Sequence, residues 1–365
     1  AQRLAADSTA ARLMDPPLPQ RSLILAVEAV RATFDQDQPV VPSAEQALHD
    51  ALAAVHGTSL AEHGSPIRSV EFGHDGRFLT YGKDCRVRVC DAKAPNSTPT
   101  ILGSEDAPLT TAAFAPDNRV VTGGFDGIIR IWALRDSTRH PTELPGHTDA
   151  VTVLTFTKDG RLVSASADGT ARVWNLNDLK SSPDIRRCSE SSIRCAAIAP
   201  DGRLITAGVD RKVRVWELAD LKSEPIVLSG HTDCIFSLLV AENGRIASLS
   251  ADETVRVWDL SDPTTEPDVY RVPAGDPEND SIDEMAIDPS GRRLAAVCAS
   301  RTFHFDRTNA APTVRVWDLD HPYAAPVILR GNKGHIFAIT FTADGRLATG
   351  GQDQVVRVWD LQQRL

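Results

Sequence analysis

From about residue 57 to the end of the chain, apolar and polar positions alternate in short runs bounded by Gly, Asn, Asp or Pro. A period of two is the mark of a strand with one face buried. The runs also repeat. ARVWNL, VRVWEL, VRVWDL, VRVWDL and RVWDL end on one register, in which Trp132, Trp174, Trp216 and Trp258 stand 42 residues apart, as do Trp317 and Trp359. Counting back the same interval from Trp132 reaches Cys90, in RVRVCDA, a further copy whose Trp is replaced. The chain therefore holds seven units, numbered here by the anchors Cys90, Trp132, Trp174, Trp216, Trp258, Trp317 and Trp359.

Each unit has a second alternating strand, ending at Phe72, Phe114, Phe156, Ile198, Val240, Ile287 and Phe341 in turn. A tight turn follows it: Asp75-Gly76, Asp117-Asn118, Asp159-Gly160, Asp201-Gly202, Asn243-Gly244, Ser290-Gly291 and Asp344-Gly345. These pairs tolerate positive φ and predict type I′ hairpins joining an inner strand to a middle one. After the anchor strand, Pro-flanked segments such as EPIVLSG and APVILRG predict a short fourth strand. Four strands every ~40 to 45 residues is the blade pattern of a propeller.

With its Gly-His, Asp and Trp-Asp marks, the segment 57–365 resembles the WD40 family. The resemblance implies an all-β, seven-bladed β-propeller that binds proteins or peptides and carries neither metal nor cofactor. Unit seven stops at Leu361 with only 362–365 after it, so strand 58–62 is expected to close the last blade.

Two units carry Ser, His and Asp together: His147, Ser164, Asp168 and Trp174 in unit three, and His231, Ser248, Asp252 and Trp258 at the same spacing in unit five. Such a trio invites a hydrolase reading. Its recurrence by repeat position argues otherwise, and the family resemblance implies a structural tetrad, a buried hydrogen-bond chain from His through Asp and Ser to the Trp indole. Other units keep parts of it, with Thr122-Asp126, Thr206-Asp210 and Thr349-Asp353 at the same spacing, whereas Ala311 takes the Asp slot of unit six. Arginines two residues before each anchor, from Arg88 to Arg357, are expected to pack their stems between units while their heads meet carboxylates.

Charge then separates the two ends of the units. Asp106, Asp149, Glu190, Asp233 and Asp280 precede the inner strands, whereas Arg77, Arg119, Arg161, Arg203, Arg245, Arg292 and Arg346 follow the hairpin turns. The expectation is an acidic mouth and a basic hairpin rim, the mouth selecting a basic partner segment. Unit six is longer by an insertion within 298–311, where Phe303, His304 and Phe305 form a candidate contact hairpin.

Residues 1–56 follow another pattern, with helical spacing in Arg21–Phe34 and a capping box at Ser43-Ala-Glu-Gln46. LAADSTAARLMD, SLILAVEAV and SAEQALHDALA resemble the helical region that precedes WD propellers in bacterial STAND-class NTPases. That resemblance implies a sensor or autoinhibitory module, cytoplasmic, whose upstream domains are partners. The chain opens on Ala1 inside a helical pattern, which predicts a piece of a longer protein. No GxxxxGK[ST] loop is present, so nucleotide hydrolysis is not expected of these residues. The net charge of −10 argues against nucleic acid or an anionic membrane as partner. The six cysteines form no CxxC pair, and no apolar run reaches the ~20 residues of a membrane span. A structural scaffold or oligomerisation ring, or an enzyme using the mouth, are the competing readings.

Overall fold

The computed structural model describes residues 67–361 apart from 73–76, 83, 92–97, 104–107, 135–139, 221–222, 272–280, 300–311, 333–334, 343–344 and 352–355. The helical lead 1–56 and the expected closing strand 58–62 lie outside these residues.

Seven antiparallel sheets follow one another, one per unit, with strands in chain order. Six have four strands; unit seven has three among the described residues, Ile336–Phe341, Leu347–Gly351 and Val356–Trp359. Unit three is representative: Val151–Phe156, Leu162–Ser166, Thr170–Trp174 and Asp184–Arg187. Its register sets Leu162 opposite Phe156 and Trp174, and Ser164 opposite Leu154 and Arg172. Alternation therefore brings the hydroxyl, the arginine and the anchor indole to one face.

That face packs on the preceding unit. Leu154, Leu162 and Trp174 share a buried cluster with Ala113, Val121 and Ile131 of unit two, and Leu204 and Trp216 share another with Val163 and Val173 of unit three. A blade alone leaves both faces wet; stacking converts each seam into core. Each Trp is the largest apolar piece of its seam, and burying a side chain of this kind contributes roughly 1.5–3 kcal/mol.

The turns differ from the type I′ expectation. Asn118 has φ 67° and Gly160 φ 82°, but the aspartates before them do not enter the left-handed region. Asn118 N–H donates to Ala115 O at 2.9 Å and Ala115 N–H to Arg119 O at 2.8 Å. This is a turn over Pro116-Asp117 followed by one left-handed residue, the longer hairpin with a bulge. Units three and five make the same turn over Lys158-Asp159 and Glu242-Asn243, so proline at the first central position suits this form without being required for it.

Each inner strand also shifts register at one residue near its start: Arg68, Thr110, Thr152, Arg194, Phe236, Asp283 and Phe337. A bulge re-aims its side chain out of the sheet plane. At the same end, Phe125 N–H donates to Pro108 O at 2.9 Å and Val209 N–H to Ser192 O at 3.1 Å. These bonds tie the turn after the middle strand to the residue before the inner strand. The bulges, the Gly-His loops and these turns thus share one end, called the mouth, and the hairpins share the other.

Candidate functional site

In unit three, Trp174 Nε1–H donates to Ser164 Oγ at 2.9 Å, Ser164 Oγ lies 2.8 Å from His147 Nε2, and His147 Nδ1 lies 3.0 Å from Asp168 Oδ2. Unit five repeats this with Trp258, Ser248, His231 and Asp252 at 2.9, 2.8 and 2.9 Å. The histidine stands between Asp and Ser, which corrects the order expected from sequence. The reason is position: the aspartate sits in the turn beyond the middle strand, too far out for its own serine, and the imidazole spans the gap with its two nitrogens.

Protonation follows from the surroundings. Burial would raise Asp168, but the Thr170 hydroxyl, Thr148 N–H and Thr170 N–H, with His147, bring its carboxyl down to about 2. Asp252 is held at about 2 in the same manner by Thr254, Thr232 and His231. Burial lowers both histidines despite the adjacent aspartates. A neutral imidazole then donates Nδ1–H to an ionised carboxylate and accepts the serine proton at Nε2, while the serine oxygen accepts from the indole. Every polar atom of the chain is satisfied.

These are the distances of a hydrolase triad. The serines are 0% exposed and each already accepts from a Trp, so no acyl group reaches them. Among the described residues there is also no group of three His, Cys, Asp or Glu placed to hold a metal ion. Burial pushes the Cys188 and Cys195 thiols up to about 12, away from thiolate chemistry at neutral pH.

Other units use a second form. Arg130 binds Asp126 at 2.7 Å, Arg88 binds Asp84 at 2.6 Å, and Arg214 pairs with Asp210, which also accepts from Ser189 Oγ at 2.8 Å. The indole still donates to a hydroxyl, Trp132 to Thr122 and Trp216 to Thr206, both at 3.0 Å. In unit seven Thr349 donates to Asn332 Oδ1 at 3.2 Å and accepts from Trp359. In units three and five His has taken the carboxylate, and Arg172 and Arg256 make no ion pair among the described residues. Their guanidinium heads lie over Gly146 and Gly230, where a Cβ would stand 2.6 and 2.5 Å from the nearest nitrogen. A side chain at either glycine would have to displace the guanidinium from this position. In unit six Ala296 faces Arg315 at the hydroxyl position, and Trp317 packs edge-on against Tyr270 with ring centroids 5.6 Å apart.

The mouth is not uniformly acidic, a correction to expectation. Asp149 and Asp233 are exposed and make no ion pair among the described residues, their Oδ1 atoms accepting only from Ala150 N–H at 2.7 Å and Cys234 N–H at 2.6 Å. Glu190 is instead neutralised by a two-pronged contact with Arg187, at 3.0 and 2.7 Å. Asp106, Asp280, Phe303, His304 and Phe305 lie outside the described residues. Cations stand among the acids: Arg194, Arg211 and Lys212 are exposed. So are Phe125 (55%), Phe236 (43%) and Val209 (41%). The signal for these was available in sequence as a departure at two repeat positions. The residue before the loop aspartate is Ala167 or Ala251 in units three and five but Phe125 or Val209 in two and four, and the bulge residue runs Thr110, Thr152, Arg194, Phe236.

The hairpin rim is not a basic surface either. Arg119, Arg161 and Arg203 each bind the aspartate of their own turn, through Nε at 2.8 Å to Asp117, Asp159 and Asp201. Arg245 binds Gly291 O at 2.8 Å and Asp320 at 2.9 Å in the next unit. Asp and Arg two residues apart across a tight turn face each other, so the run of arginines neutralises itself.

The WD domain, G-beta repeat family matches residues 55–91, 96–133, 139–175, 182–217, 223–259 and 327–360, more than half of the chain. Unit six is not matched, although its sheet has four strands. Among solved structures, the chain is similar to the WD40 β-propeller domain of Doa1, with TM-score 0.57 and 20% identity over 83% of this chain and 95% of that one. It is also similar to a chain of the mitotic checkpoint complex, with TM-score 0.59 and 15% identity over 80% and 86%. No curated protein sequence matches the chain. At these identities the likeness concerns the fold alone. No helix among the described residues is long and apolar enough to cross a membrane. Six four-stranded sheets and a seventh with three described strands, the indole-to-hydroxyl bonds and the six family matches lead to one assignment: the chain belongs to the WD40 family and folds as an all-β, seven-bladed propeller.

Proposed function

We propose that this propeller is a protein- or peptide-binding, ligand-sensing module that works through its mouth end. WD40 propellers are generally non-catalytic interaction scaffolds, and the two Ser–His–Asp sets, spent on buried hydrogen bonds, fit that role. The observation that carries the reading is an asymmetry in charge pairing. At the hairpin end Arg119, Arg161, Arg203 and Arg245 are occupied by neighbouring aspartates and carbonyls; at the mouth Asp149 and Asp233 keep exposed carboxylates with no ion pair among the described residues. Unpaired charge on one end is available to a partner, and carboxylates there draw a basic segment.

A Lys-rich synthetic decapeptide tests this on the full chain. Reversing Asp149 and Asp233 together to Lys should weaken its binding by about tenfold or more at 0.1 M salt, with the wild-type affinity falling toward 1 M as the Debye length contracts from about 10 to 3 Å. Reversing Arg161 and Arg245 to Glu should leave it within about twofold. Binding that follows the hairpin arginines and ignores the mouth carboxylates overturns the proposal.

The wider setting rests on the helical lead, whose resemblance to the region before WD propellers in STAND-class NTPases supports a cytoplasmic, bacterial C-terminal sensor or autoinhibitory part held against upstream domains. The test is the parent gene: a P-loop ATPase encoded upstream supports this setting, and its absence there removes it.

A further inference from the structure

One repeat position, the bulge residue of the inner strand, carries different side chains in different units. In units two and three the bulge residue is a threonine that bonds the next unit: Thr152 Oγ donates to Ile193 O at 2.9 Å and to Ala165 O at 3.2 Å, and Thr110 makes the equivalent bonds to Val151 O and Gly123 O. In units four and five the same position holds Arg194 and Phe236, both exposed. Two neighbouring units thus lack that threonine bond between sheets and present a cation and an aromatic ring at the mouth. The Thr152 geometry shows where a bulge side chain leads, toward the first residue of the next inner strand. For Arg194 that residue is Ile235, beside Phe236.

Unit four adds two features at the same end. Val209 is 41% exposed where units three and five have alanine, as Phe125 is in unit two. Arg211 stands at φ 67°, in the left-handed position that Gly127 and Gly169 fill in units two and three and that Cys85 and Glu253 fill, at φ 58° and 65°, in units one and five. A long side chain is strained there and glycine is not. Lys212 follows it, also exposed. None of these cations is neutralised by the turn's own carboxylate, because Asp210 is taken by Arg214 and Ser189. Three positive charges thus run outward from the inner strand, with Val209 and Phe236 among them.

We infer that the mouth of unit four, with Phe236 of unit five, takes an extended partner segment in which a large apolar side chain stands beside carboxylates. The cations match the acids and the exposed Val209 and Phe236 match the apolar group. A cation and an aromatic ring at the bulge positions of neighbouring units also suit recognition in which neither charge nor apolar area suffices alone. This rests on the reading of the mouth as the binding end, but not on the basic segment assigned to Asp149 and Asp233.

Three synthetic decapeptides, each with a central Phe flanked by Glu, Ser or Lys, and a 12-mer oligothymidine are titrated against the full chain by fluorescence polarisation at 0.1 M salt. The expected result is Glu-flanked binding about tenfold or more tighter than Ser-flanked. Arg194→Glu with Arg211→Glu should abolish that preference, Phe236→Ser should weaken the Glu-flanked and Ser-flanked peptides alike, and Arg161→Glu at the hairpin end should leave the preference intact. Equal binding of the Glu- and Ser-flanked peptides overturns the inference, as does oligothymidine binding more tightly through the same arginines. Preferential capture of the Lys-flanked peptide through Asp149 and Asp233 also overturns it while leaving the mouth as the binding end. Failure of all four probes removes both readings.

Discussion

Units three and five, set against units two and four, answer one problem in two ways. Each has an aspartate in the turn after the middle strand and an indole to satisfy on the sheet face. Where His147 and His231 are present, they link the two into one chain, and the aspartates are almost wholly covered, with 6% and 7% side-chain exposure. Where histidine is absent, the arginine four residues on takes the carboxylate, and Asp126 remains 36% exposed. The residue before the aspartate differs in step: Ala167 and Ala251 in the first pair, the exposed Phe125 and Val209 in the second. A closed network fixes a turn from within. The arginine version leaves the turn's outer surface available to be read by something else.

The difference is measurable as stability. The largest expected effect is shared by both pairs: Trp174→Ala should cost about 3–5 kcal/mol in denaturant unfolding, because the indole fills a seam that cannot fully collapse. The pairs then diverge. Asp168→Ala strands the buried His147 Nδ1–H and the Thr170 hydroxyl and should cost about 1–3 kcal/mol. Asp126→Ala removes a partly exposed ion pair and should cost less than about 1 kcal/mol. Equal losses at the two aspartates would erase the distinction drawn here.

Acid should separate them further. His147 and His231 are held below their ordinary value of 6.5, so their contribution is whole above pH 6.5 and declines as pH falls below it, when the unfolded chain binds protons that the folded one refuses. Asp168 and Asp252, at about 2 against 3.8, add a second loss between about pH 4 and 2. A His147→Gln and His231→Gln double variant should lose the first limb and keep a flatter stability profile from pH 7 to 5. An unchanged profile would mean that the two imidazoles do not govern the acid limb.

Much of this was readable before any coordinates, for physical reasons. Tryptophan at a fixed interval, a hydroxyl ten residues before it and an aspartate six before it are set by strand length and alternation, so they appear as spacing. The order of the buried chain was not readable, because spacing cannot say which of two side chains lies between two others. Turn form was not legible because an Asp-Gly pair fits both the two-residue hairpin and the longer one with a bulge. The positive sector at Arg194 and Arg211 was not legible because only the sheet register brings a strand bulge and a turn of one unit to the same end. Arg186 shows a further limit. It fills a slot held by Leu144, Leu228 and Leu329 in other units, stacking 4.9 Å over Trp216 and donating to Ser223 O at 3.0 Å and Asp220 O at 2.8 Å. A lone arginine in a leucine position reads as surface charge until the loop it clamps is seen.

Two constellations with the bond distances of a catalytic triad are taken up by buried hydrogen bonds that join the anchor indole to the turn aspartate. Reaction of the folded chain with a fluorophosphonate, read by intact mass, asks whether either serine is free to react, since an activated and accessible serine is phosphonylated and a buried one is not. The account predicts no adduct at Ser164 or Ser248 under native conditions, with Ser164→Ala lowering the melting temperature. A stoichiometric adduct on either serine of the folded protein would contradict it.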